Sequence, residues 1–179
     1  MLKTSDCLAL VVDYQERMMP VIKGREAILK KAQTLLSGLK LLEVPMIITQ
    51  QYTKGLGSSL PEIFEAAGTE EYLDKTAFSA MGDEAIEKAV FKSDRKDIIV
   101  CGVEAHICVL QTCIDLKEKG YNPILVTDCI GSRKKSNVEL TKLRAVQEGI
   151  TLVSTESLLF ELMRGAKHPA FREISQLIR

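Results

Sequence analysis

The chain has 179 residues, 46% of them apolar, with 24 basic residues against 24 acidic ones and a formal net charge of zero. That length suits one domain, residues 1–179, able to bury most of its apolar surface without disulfides or metal. Balanced charge lacks the basic footprint of a nucleic-acid binder, and no apolar run approaches the ~20 residues that span a bilayer.

Along the chain, short apolar runs rich in β-branched residues alternate with helical patterns. Cys7 to Asp13 reads as a buried strand. From about Arg25 to Glu43, apolar residues at Ile28, Leu29, Ala32, Leu35, Leu36, Leu39 and Leu42 follow a 3.6-residue period and predict a helix. Pro45 to Gln50 reads as a second strand. Gly55 to Gly68 reads as a long loop with one helical turn, of a length often tied to function. Tyr72 to Lys75 predicts a short strand and Asp83 to Lys92 a helix. Asp97 to Val103 is the strongest strand pattern, followed by a helix from about Ala105 to Lys119 that Gly120 stops. Pro123 to Asp128 predicts another strand. Ser136 to Glu148 predicts a helix with Ser/Asn capping at its start and Gly149 at its end. Ile150 to Ser154 reads as a sixth strand, with helices near Ser157–Arg164 and Pro169–Ile178.

Buried strands separated by helices predict a three-layer α/β fold, Rossmann-like, with a mostly parallel sheet of about six strands and helices on both faces. In such sheets ligands bind beyond the carboxyl ends of the strands. The N-terminal Met1 to Asp6 leads straight into a strand and lacks the sections of a signal peptide, so a cytoplasmic location is expected. The five cysteines (Cys7, Cys101, Cys108, Cys113, Cys129) include no CxxC pair, which argues against a disulfide framework.

Asp13, Lys75 and Cys108 fall at or near predicted strand ends. Cys108 lies in the first turn of a predicted helix, where unpaired N–H groups and the helix dipole favour a thiolate and can cradle an oxyanion. Asp13 is placed to take the thiol proton if the first and fourth strands are neighbours, and a lysine can hold the carboxylate by charge. Each also has a plainer reading: Asp13 as a turn cap, Lys75 as a solvated surface residue, Cys108 as a buried filler like the other four cysteines.

Four segments together decide between these readings. Gly102-Val103-Glu104-Ala105-His106-Ile107-Cys108-Val109 resembles the nucleophile motif of the isochorismatase-like cysteine hydrolase superfamily. Leu10-Val11-Val12-Asp13 resembles the strand delivering its aspartate, Lys75-Thr76-Ala77-Phe78-Ser79 its lysine motif, and Thr127-Asp128-Cys129-Ile130-Gly131-Ser132-Arg133 its strand-end segment. The motifs stand in the family's order and span nearly the whole chain. The resemblance implies a catalytic triad of Asp13, Lys75 and Cys108, a cis peptide between Val103 and Glu104, and an oxyanion hole from the amides of Glu104 and Cys108. It also implies a homo-oligomer, a dimer or higher.

Metal-binding nicotinamidases of this superfamily carry an Asp-x-His pair after the second strand. Here that region reads Thr49-Gln50-Gln51-Tyr52-Thr53-Lys54-Gly55, without histidine or carboxylate, so no metal and no cofactor is expected. The stretch resembles the isochorismatase-domain-containing branch instead. Gln50, Tyr52, Phe78, Glu104 and His106 are the candidate pocket residues. Phe78 reads as pocket wall or core, with core the commoner role of a large aromatic. Glu104 and His106 read as substrate contacts or as locally bonded polar groups at a helix start.

The expected activity is hydrolysis of a small carboxamide or related C–N bond through a thioester on Cys108, acting on a small molecule and on neither nucleic acid nor membrane. The alternatives are a catalytically idle binding or scaffold protein that keeps the fold, and a thiol redox sensor. Cys113, five residues on along the same helix, points largely away from Cys108.

Overall fold

A computed structural model describes all 179 residues. Six strands form one parallel sheet: β1 (Cys7–Val12), β2 (Met46–Gln51), β3 (Leu73–Lys75), β4 (Asp97–Val103), β5 (Asn122–Gly131) and β6 (Thr151–Val153). Their spatial order is β3-β2-β1-β4-β5-β6. All six predicted strands are present, and the sheet is parallel throughout.

The helices are α1 (Arg25–Leu41), α2 (Thr53–Leu56), α3 (Pro61–Ala67), α4 (Glu84–Lys92), α5 (Leu110–Glu118), α6 (Lys135–Gln147), α7 (Thr155–Met163) and α8 (Phe171–Ile178). Strand side chains alternate between the two faces, as the period of two requires. Cys7, Ala9 and Val11 of β1 join a core closed by Leu35, Leu36 and Leu39 of α1, Ile63 of α3, Leu158 and Leu159 of α7 and Ile174 of α8. Leu8, Leu10 and Val12 point the other way, against Ile86 of α4, Cys113 and Leu116 of α5 and Ala145 of α6. β1 is buried along its whole length, which is why it reads as an unbroken apolar run.

Two local expectations are corrected. The segment from Gly55 to Gly68 holds the end of α2 and the seven-residue α3, not a loop with one turn. Pro61 opens α3 and Gly68 closes it in the left-handed conformation, the usual asymmetry of helix ends. The second correction concerns α6, which starts at Lys135 with extended Lys134 before it and no side-chain cap. Asn137 is inside the helix and bonds His106 instead.

The sheet order reverses direction between β1 and β4, which pair directly from Cys7↔Asp97 to Val12↔Gly102. Open α/β sheets form their binding crevice at such a switch point, beyond the strand ends. Gly102 makes this pairing possible. It has φ +139, and a β-carbon there would sit 2.1 Å from the Val12 carbonyl oxygen.

Candidate active site

Three strand ends converge on the switch point. Asp13 follows β1 in the left-handed conformation (φ 56), which Asp tolerates better than most residues because its short side chain bonds locally. Its carboxylate is fully buried. Thr49, on the neighbouring β2, donates its hydroxyl to Asp13 Oδ1 at 2.8 Å. Lys75 ends β3, two strands away, and its side chain reaches back to place Nζ 2.7 Å from Asp13 Oδ2. Lys75 is only 1% exposed, so the surface reading of this lysine is overturned.

Cys108 follows β4 across the cis peptide between Val103 and Glu104. It lies in a π-helical turn, Ala105–Val109, that leads into α5. Thr112 of α5 donates to the Cys108 carbonyl at 2.6 Å and accepts from the Ala80 amide at 2.9 Å, tying the cysteine's turn to the loop after Lys75. Cys108 is 4% exposed, and its thiol lies close enough to Asp13 and Lys75 for the charge of each to act on it. The three candidate residues therefore meet in one buried cluster.

Electrostatics opposes the local pull of the helix start toward a thiolate. Burial, and then the charge of Asp13, push the Cys108 thiol up to about 12, against a weaker downward pull from Lys75. Desolvation and an adjacent carboxylate both favour the neutral thiol. Burial also raises the Asp13 carboxyl, while Lys75 and the Thr49 hydroxyl pull it down. The cluster is thus a neutral thiol beside a carboxylate made more basic than one in water.

The remaining candidates divide. Glu104 is buried, and its carboxylate accepts from the Arg133 backbone N–H at 2.9 Å and from Arg133 Nε at 3.1 Å. His106 Nδ1 lies 3.0 Å from Ser132 Oγ, and its Nε2 lies 3.1 Å from Asn137 Nδ2. Both side chains are engaged in local bonds. Gln50 is fully buried, bonded to Ser58, Ser59 and Thr53, and so braces the segment after β2. Tyr52 is 53% exposed. Phe78 is 58% exposed, not core, because the loop after β3 turns its carbonyl in toward Lys75 and its ring outward.

Sequence reasoning missed Thr49, Gln15 and Gln51. Gln51 Oε1 accepts from Lys75 Nζ at 2.6 Å. Gln15 grips the Gln51 backbone, accepting from its N–H at 2.7 Å and donating to its carbonyl at 3.0 Å. The alternation along β2 carried a partial signal. Thr49 and Gln51 share a face, and Gln50 points away from it.

The isochorismatase domain model matches residues 7–157. Isochorismatase domain-containing protein 2 of Danio rerio is 35% identical over 99% of this chain and 89% of its own length. The secreted isochorismatase effector Isc1 of Phytophthora sojae is 36% identical over 94% and 82%. Among solved structures, the MAR1 ribonuclease of Caenorhabditis elegans superposes with a TM-score of 0.91 at 33% identity, covering 99% of this chain and 91% of that one. The YcaC gene product of Escherichia coli, described as an octameric hydrolase of unknown specificity, shares the fold at 22% identity and a TM-score of 0.88, over 98% and 94%. No helix of the chain is long and apolar enough to cross a membrane. With a relative described as secreted, similarity does not carry the cytoplasmic expectation.

Proposed function

The chain belongs to the isochorismatase family, which supports a hydrolase-type function, and from that premise we propose that it hydrolyses a small carboxamide or related C–N bond through Cys108. The observation that carries this reading is the meeting of Asp13, Lys75 and Cys108 at the switch point, with the carboxylate and ammonium 2.7 Å apart beside a thiol.

Because the resting thiol keeps its proton, attack and proton transfer go together. Asp13 takes the proton as Cys108 Sγ adds to the carbonyl carbon, a general-base role favoured by its raised proton affinity. The amides of Glu104 and Cys108 hold the developing oxyanion. When the tetrahedral species collapses, Asp13 returns the proton to the leaving nitrogen and a thioester remains. Water, deprotonated by Asp13, then hydrolyses the thioester and restores the thiol. Lys75 balances the charge of Asp13 throughout. Homo-oligomerisation is part of the proposal, supported by the octameric E. coli protein of the same fold.

A second reading has a specific basis in the C. elegans relative, whose name assigns it to RNA cleavage. A cysteine only 4% exposed suits a small acyl centre better than a polynucleotide backbone.

The test is a screen of small aliphatic and aromatic carboxamides, with single-stranded RNA alongside, on wild type and Cys108→Ala. Amide turnover with an acyl-enzyme mass on the Cys108 peptide, reduced at least 10³-fold in Cys108→Ala, is expected. Full turnover in the variant would overturn the covalent route, and RNA cleavage without amide turnover would replace the substrate class.

A further inference from the structure

Lys75 Nζ has three N–H groups and four oxygens around it. Three are neutral: Gln51 Oε1 at 2.6 Å, the Phe78 carbonyl at 3.0 Å and the Ala77 carbonyl at 3.2 Å. Each accepts a directed hydrogen bond. The fourth is Asp13 Oδ2 at 2.7 Å, in ionic contact but outside hydrogen-bonding angles. Neutral acceptors therefore take all three donors. Asp13 Oδ2 feels the positive charge while keeping a lone pair for the thiol proton.

Of the three acceptors, two are backbone carbonyls of the loop after β3 and one is a side chain. Gln51 is itself held twice over. Its Nε2 donates to the Thr76 carbonyl at 2.9 Å, and its backbone is clamped by the Gln15 amide on both its N–H and its carbonyl. The charged and titratable groups around the ammonium are Asp13 after β1, Cys108 in the π-helical turn, and Asp74, its neighbour on β3. Asp74 is engaged with the amide and hydroxyl of Thr53.

We propose that Gln51 is a positioning residue of this site, whose side-chain carbonyl fixes the Lys75 ammonium where it acts on Cys108 without taking the Asp13 lone pair that receives the thiol proton. This rests on the reading of Cys108 and Asp13 as the reacting pair. The position is one where sequence alone showed only the absence of metal ligands. Loss of the carbonyl frees one N–H and loosens the ammonium, so its downward pull on the thiol weakens.

The experiment is the pH profile of Cys108 alkylation by iodoacetamide in wild type, Gln51→Met, Lys75→Met and the double variant, with the thermal unfolding midpoint followed in each. Methionine matches glutamine in length and removes the acceptor, while the Gln15 clamp on the backbone remains. In Gln51→Met the profile moves to higher pH and labelling at pH 9 falls at least threefold. In the Lys75→Met background the same substitution changes labelling less than 1.5-fold, since its effect passes through the ammonium. A Gln51→Met profile superimposable on wild type overturns the assignment, however the double variant behaves. Equal shifts in both backgrounds overturn it too. If Lys75→Met does not fold, Lys75→Gln takes its place, and the single variant still decides. The readout needs no substrate, so failure to find an amide turned over sinks the proposed function and leaves this result standing.

Discussion

Asp13 shows how one residue can be read at two levels. Its left-handed backbone is a conformation Asn adopts as easily as Asp, so Asp13→Asn removes the charge while preserving the turn. The charge of Asp13 is the second cause, after burial, of the raised Cys108 thiol. Removing it therefore moves the alkylation profile of Cys108 to lower pH, even as the proposed general base is lost. The expected result for Asp13→Asn is faster labelling by iodoacetamide at pH 9 together with at least a 10²-fold drop in any amide turnover. Slower labelling would mean that Asp13 aids ionisation in the resting state, contrary to the electrostatics of the cluster. Phe78 makes the complementary point: residue type alone favours core for a phenylalanine, and the loop's need to present a carbonyl to Lys75 turned the ring outward.

At the level of elements, the site depends on how closely β1 and β4 end beside each other. Gly102 pairs with Val12, one residue before Asp13 and one before the cis peptide. A methyl group there would overlap the Val12 carbonyl, and its φ is one that L side chains rarely adopt. Gly102→Ala is expected to destabilise the protein by about 3–5 kcal/mol in urea unfolding, combining backbone strain with overpacking. A loss below about 1 kcal/mol would show that the strands can part at little cost. The mispredicted segments have physical reasons at this scale. The start and stop signals of α3 were present in Pro61 and Gly68, but the Gly/Ser-rich run before them obscured a helix of seven residues. The Ser136-Asn137 pair looked like a cap, yet the helix begins one residue earlier, at Lys135, and Asn137 within it bonds His106.

For the whole molecule, burial of thiols links stability to pH. All five cysteines are reduced and buried, on both faces of the sheet. Burial pushes Cys7 and Cys101 up to about 12, as it does Cys108, and holds Cys113 and Cys129 high as well. The unfolded chain releases these protons near pH 8.5. Stability from the neutral thiols is therefore fully present below that value and is lost as pH rises toward the folded-state values. The urea midpoint is expected to stay level from pH 7 to 8.5 and to fall steadily from pH 9 to 11. Cys113→Ala, by removing one of the two sulfurs of α5 and its preceding turn, should make that fall shallower. An unchanged slope would mean that the alkaline loss arises from other groups.

What the sequence by itself determined is local and periodic. Apolar runs specified the buried strands β1, β4 and β5, the 3.6-residue pattern specified α1, and the ordered motifs picked out Asp13, Lys75 and Cys108. These are properties of neighbouring residues and need no knowledge of what lies across the sheet. The tertiary structure alone decided the rest. Strand order placed β1 against β4 and brought Lys75 across β2 to Asp13, a choice no single segment encodes. Gln51 became significant only because β2 lies between those partners, so that its outward carbonyl meets an ammonium from the next strand. The protonation state of Cys108 followed the same logic. A helix start favours a thiolate locally, whereas desolvation and the charge of a residue 95 positions away favour the neutral thiol, and both come from packing.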